Sequence, residues 1–157
     1  MRQVVDLDDV EETDTGMDLY RGVPFTGPIV ARSQSGDVIW IGETTAGLTH
    51  GYSVDCLSGL PTAVDEYDRG TPHGLRATWE EGRFTGASRY QYGIEDQRLR
   101  PDGTIQDFPE AAAKIARLHA LKQRHEPLTA SARELLVRFR DAWPNLLLEA
   151  RRGLGLV

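Results

Sequence analysis

Two histidines in matching positions, His50 and His73, are the residues best equipped for chemistry; each precedes a glycine. Imidazole changes protonation near neutral pH, so a matched pair suggests a base or a metal ligand. The pair sits in two near-copies, Gly47-Leu48-Thr49-His50-Gly51 and Gly70-Thr71-Pro72-His73-Gly74. A residue recurring at one register of a repeat normally serves the link itself, so a structural role is expected for both. His119 and His125 lie in a basic, helical stretch without a spaced carboxylate or cysteine. A zinc site needs about four convergent ligands, and no metal site is expected. Asp65, Glu66 and Asp68 offer neighbouring carboxylates, the raw material of acid–base catalysis. Near a hairpin end they read first as a solvated edge. Cys56 falls on the inner side of an alternating strand, which suits a buried small hydrophobe better than a nucleophile. The glycines open strands rather than helices, and no Gly-Lys-Ser/Thr ending follows them, so they match neither a phosphate loop nor a dinucleotide fingerprint. No catalytic constellation emerges, no cofactor is expected, and the chain reads as a non-enzyme.

The elements that hold these residues come from a repeat of about 23 residues. Three glycine series mark it: Gly36, Gly59 and Gly82; Gly47, Gly70 and Gly93; Gly27, Gly51 and Gly74. A fixed period of this size indicates repeated supersecondary units. Each unit reads as a β-hairpin. Tyr52, Val54 and Cys56 alternate with Ser53, Asp55 and Leu57, a turn follows at Ser58-Gly59, and alternation resumes at Leu60. Period-two patterning around a glycine turn is the hairpin signal. Corresponding turns fall at Ser35-Gly36 and Glu81-Gly82. The Gly-x-x-His-Gly links read as tight corners between hairpins. Three hairpins side by side predict one elongated, twisted antiparallel sheet over residues 20–106, in which each unit contacts its neighbours.

From residue 107 to 157 the period becomes helical. Pro109 suits a first helical turn, and Ala111, Ile115, Leu118 and Leu121 form an apolar stripe. Pro127 is expected to stop that helix. Ser131 with Glu134 forms a capping box ahead of a second stripe at Leu135, Leu136, Phe139 and Trp143. Pro144 is expected to break it, with Leu146 to Arg152 as a short third helix. The fold class is α+β: the hairpin sheet, then two to three helices packed on it or on a partner.

Charge is unevenly placed within a formal net of −6. Residues 1–108 hold 9 Lys/Arg and 19 Asp/Glu, whereas residues 109–157 hold 9 and 5. The acidic segment 1–19 contributes Asp6, Asp8, Asp9, Glu11 and Glu12. An acidic body argues against nucleic acid, whose phosphates need clustered Lys/Arg, and against anionic membrane surfaces. No apolar run suits a membrane helix, the opening Met1-Arg2-Gln3-Val4-Val5-Asp6 carries no signal core, and one cysteine fits a reducing compartment; the expected location is the cytoplasm.

Asp18-Leu19-Tyr20-Arg21-Gly22-Val23-Pro24-Phe25-Thr26-Gly27 resembles the opening of the MORN-repeat-variant antitoxin or immunity proteins of bacteria. The two His-Gly links and the closing Tyr92-Gly93 and Pro101-Asp102-Gly103 extend the likeness over residues 4–105. The chain departs from that pattern at Ser33 and Cys56, where an aromatic residue is usual, and its third link lacks His-Gly. The resemblance implies a MORN-like hairpin array that neutralises a cognate protein toxin by binding it. A basic, nuclease-like toxin would suit Asp6, Asp8, Asp9, Glu11, Glu12, Asp65, Glu66 and Asp68 as docking candidates. The alternative is a MORN-type scaffold with no toxin partner. Oligomeric state stays open, because the last hairpin leaves a sheet edge.

Overall fold

A computed structural model describes residues 2–122 and 128–157. The chain opens with β1 (Val5–Asp6), a single 3-10 turn (Leu7–Asp9), β2 (Val10–Glu12), β3 (Asp18–Tyr20) and β4 (Val23–Pro24). Eight strands follow: β5 (Gly27–Arg32), β6 (Val38–Thr45), β7 (Leu48–Leu57), β8 (Leu60–Asp68), β9 (Thr71–Glu80), β10 (Arg83–Gln91), β11 (Ile94–Leu99) and β12 (Ile105–Asp107). Two helices close it, α1 (Pro109–Lys122) and α2 (Ala132–Gly153). The fold is therefore α+β. Strands β5 to β12 pair consecutively and antiparallel, and β1 adds a parallel edge beside β5, giving nine strands in one sheet. At about 4.8 Å per strand the sheet is roughly 38 Å wide. Strands β2, β3 and β4 form a separate small sheet.

The glycine register appears as tight turns. Six two-residue turns carry positive φ at both positions, with Arg21, Ala46, Ser58, Arg69, Glu81 and Tyr92 at 47–53° and the following glycines at 78–85°. Positive φ at both central positions marks the type I′ geometry that matches strand twist. The first hairpin turns differently, through a loop closed by Ser33 N–H to Asp37 O at 2.8 Å.

The Gly-x-x-His-Gly links do not form corners as the spacing predicts. Only the leading glycine lies in a turn. His50 and Gly51 are inside β7, and His73 and Gly74 are inside β9. The register slips between Gly42 and Thr44 opposite Gly51, and between Asp65 and Tyr67 opposite Gly74. The second glycine of each link thus serves a β-bulge, where one extra residue kinks a strand.

One cross-strand row, Val30, Ile41, Val54, Val64, Ala77, Ala87 and Leu99, is paired residue to residue across the sheet. All seven are buried, and they form the core with Leu135, Leu136, Phe139 and Trp143 of α2. The tail therefore folds back on the sheet. Ser131 caps α2 by accepting the Glu134 N–H. Pro144 does not break the helix, which continues without a third element to Gly153. The apolar stripe explains this: Phe139 and Trp143 before the proline, and Leu146, Leu147 and Ala150 after it, all pack on the same core. Their burial outweighs the roughly 3 kcal/mol an interior proline costs. In α1, Ala111 and Ile115 are buried against Tyr92, whereas Leu121 is exposed. The expected stop at Pro127 and His125 lie outside the described residues. Among those described, no helix is long and apolar enough to cross a membrane.

Candidate protein-binding surface

Strand alternation sends neighbouring side chains to opposite faces, and this divides the sheet. One face lies under α2. The other carries Ser53, Asp65, Arg76, Ser88 and Arg98 in a paired row, flanked by Trp40, Asp55, Ala63 and Thr78. At the β1 end this second face is covered. The small sheet packs there through Val10, Tyr20 and Phe25 onto Val5, Ile29 and Trp40. The result is an acidic shoulder beside an open polar face.

The shoulder holds the N-terminal candidates, which divide by role. Asp6 is structural: its carboxylate accepts the Asp8 N–H at 3.0 Å and pairs with Arg32 at 2.9 Å. The Asp8 N–H, then Arg32, hold its carboxyl below the usual range despite desolvation. Asp8, Asp9, Glu11 and Glu12 are exposed. Burial, reinforced by Glu12, pushes the Asp18 carboxyl up.

Asp65, Glu66 and Asp68 are not one solvated edge. Asp65 lies on the open face, paired with Arg76. Glu66 points the other way, toward the helix side, because it is one residue along the strand. There its carboxylate accepts the Leu75 N–H at 3.3 Å, and desolvation raises its pKa against that bond and the more distant Arg138. A docking role for Glu66 does not fit this burial. Asp68 sits at the link end of β8, 3.3 Å from His50 Nδ1.

The histidines hold the repeats together. His50 Nδ1 accepts the Arg69 N–H at 3.2 Å, and His73 Nδ1 accepts the Tyr92 N–H at 3.3 Å. In the preceding unit Thr26 Oγ1 does the same for the Ala46 N–H at 2.8 Å. The next residue of each turn binds backbone: Gly47 to Phe25 O, Gly70 to Thr49 O and Gly93 to Pro72 O, at 2.7–2.8 Å. These three turns between hairpins are thus each latched to the preceding unit by two N–H donors. At the last latch Tyr92 also reaches α1, with its hydroxyl 2.6 Å from His119 Nδ1.

Cys56 is buried and its thiol bonds Val38 O at 3.3 Å. Burial pushes that thiol up to about 11, which makes it a poor nucleophile. Burial likewise takes the Tyr52 hydroxyl up to about 12. Among the described residues no group of three or more His, Cys, Asp and Glu could hold a metal ion.

Two polar clusters escaped the sequence reading. Arg2 bridges Glu43 and Glu149 at 2.8–2.9 Å, joining the N-terminus, β6 and the end of α2. Arg89 binds Asp96 and the Ala130 carbonyl, while Gln97 accepts the Ala132 N–H at 2.7 Å. These fix the start of α2. Glu43, Glu66 and Arg89 are spaced by the same 23 residues as the glycines, and that spacing was the available signal.

What the arrangement offers chemically is surface: fixed charges and aromatic side chains on a rigid sheet. A scan against protein-family models and a search of curated proteins each found no match.

Proposed function

We propose that this protein is an immunity protein or antitoxin that neutralises a bacterial toxin by binding it, without catalysis. The observation that carries the reading is the charge placed along the sheet. Residues 1–68, which build β1 to β8 and the small sheet, hold three Lys/Arg and thirteen Asp/Glu. Exposed Asp8, Asp9, Glu11 and Glu12 stand on the shoulder of that acidic end. Such a surface accelerates encounter with a basic protein and disfavours acidic ones. The resemblance of residues 4–105 to MORN-repeat-variant immunity proteins supports the same reading. Blocking a toxin requires a standard interface of about 800 Å² per partner, and a sheet about 38 Å wide is large enough to supply it.

The test is co-expression with the C-terminal domain encoded by the adjacent reading frame. Rescue of growth and a co-eluting complex on gel filtration are expected. Absence of both would overturn the proposal and favour a scaffold without a toxin partner. Reversing Asp8, Asp9, Glu11 and Glu12 to lysine should slow association and flatten its dependence on salt.

A further inference from the structure

The open face carries a trough where β9, β10 and β11 meet. Its floor is the middle strand, where Gly86 and Ser88 point outward beside Thr85. Register sets Thr78 opposite Gly86, and Arg76 and Arg98 on either side of Ser88. Continuing the β11 register by one pair places Arg100 beside Gly86. Strands two apart are about 10 Å from one another, and the trough encloses about 230 Å³. Gly86 has φ +148° next to a bulge, and a Cβ there would approach only the Leu99 carbonyl, at 3.6 Å.

The charges identify what fits. At the Ser88 end a carboxylate is already in place: Glu95 accepts the Ser88 hydroxyl at 2.7 Å and two Arg98 donors at 2.9 and 3.0 Å. Desolvation opposes ionising Glu95, but those bonds outweigh it and hold its carboxyl low. Arg76 is matched by Asp65. At the Gly86 end Arg100 donates to the neutral amide oxygen of Gln106, and the Thr78 and Thr85 hydroxyls lie 2.7 Å apart. Two of the three guanidinium charges are therefore balanced within the chain. Arg100 makes no direct ion pair among the described residues, although the Asp102 carboxylate and this guanidinium act on each other from beyond contact, and a single cation of this kind suits a monoanion. Beyond Thr85 and Pro101 the trough widens into a hollow of about 700 Å³ bordered by Glu80, Glu81, Arg83 and Phe84, so a polypeptide can enter and leave along it.

We infer that the Gly86 end of this trough receives one acidic side chain, Asp or Glu, from a polypeptide lying across β10. Arg100 supplies the cation, and the hydrogen-bonded Thr78–Thr85 pair supplies the one hydroxyl proton that it does not share between its own two oxygens. The Glu95 carboxylate, held by a hydroxyl and a guanidinium at the Ser88 end, is the chain's own example of that recognition. The inference rests on the protein-binding reading only for the source of the side chain.

The test is an amide NMR titration of the full chain with N-acetyl-aspartate amide, which needs no toxin. Saturable shifts are expected at Thr85, Gly86 and the Arg100 Nε–H. Binding should be about tenfold weaker for N-acetyl-asparagine amide, for Arg100→Gln and for Thr78→Val, because a charge-assisted hydrogen bond is lost or weakened. Equal binding of the asparagine analogue would overturn the inference, as would full binding by a folded Arg100→Gln protein. Tighter binding of inorganic phosphate would overturn the assignment to a monoanion. Failure here with successful toxin rescue would refute the trough alone.

Discussion

Gly74→Ala tests the bulge directly, because two separate costs meet at that position. The residue has φ +125°, where an L side chain is strained, and an added Cβ would overlap the Glu66 carboxylate oxygen. The backbone term is about 1–3 kcal/mol. Moving Glu66 aside also removes the acceptor of the buried Leu75 N–H, worth about 1–2 kcal/mol. The expected loss is about 2–5 kcal/mol by urea unfolding. Gly82→Ala is the control: φ is +78°, but no atom lies within 4 Å of the new methyl. It should cost only about 1–2 kcal/mol. In a Glu66→Ala background the steric term disappears, and the Gly74→Ala cost should fall to its backbone term alone, about 1–3 kcal/mol. Equal losses for the two glycines in the unmodified chain would refute the overlap. A Gly74→Ala cost that is undiminished without Glu66 would refute its assignment to this carboxylate.

Three further outcomes follow from the same geometry. Glu66→Gln should stabilise the fold by on the order of 1 kcal/mol at neutral pH, since the amide still accepts the Leu75 N–H without a desolvated charge. Because the folded-state pKa of Glu66 is raised, its stabilising contribution is fully present below its ordinary value of 4.5 and is lost as pH rises through the folded value; the variant should flatten that part of a stability–pH curve. Glu81→Asn should stabilise by about 0.5–1 kcal/mol, because asparagine tolerates the left-handed conformation that Glu81 holds at φ 49°; an unchanged melting temperature would count against strain at that turn. Phe139 of α2, fully buried against the sheet, should cost about 3–5 kcal/mol when changed to alanine; a loss under 1 kcal/mol by the same unfolding assay would mean that α2 is not part of the cooperative core.

The sheet was legible because turn glycines and alternating side chains are local signals. Ser58-Gly59 and Glu81-Gly82 lie where their spacing places them. The bulges were not legible, because Gly51 and Gly74 take their meaning from Glu43 and Glu66 on the adjoining strand. Pro144 misled for a related reason: a local rule ends the helix, and burial on both sides of the proline carries it through. The two residues of β1 are too few to show any period. Of the docking candidates, Glu66 was misplaced because a run of acidic residues hides the alternation that separates it from Asp65. The trough depends on the register of three strands, and only Gly86 hints at it in the sequence.

Helix α2 also works as a ruler. It starts at Gln97 and Arg89 and ends where Glu149 meets Arg2 and Glu43. Its 22 residues extend about 33 Å, close to the width of the sheet. The latches alone set no limit on the number of hairpins, since each of the three turns presents two backbone donors to one side-chain acceptor and one carbonyl of the unit before it. Another 23-residue unit would join the row without difficulty. It would add two strands, about 10 Å, and leave α2 unable to reach both anchors. The length of the helix therefore fixes the number of repeats, and sheet and tail can only lengthen together.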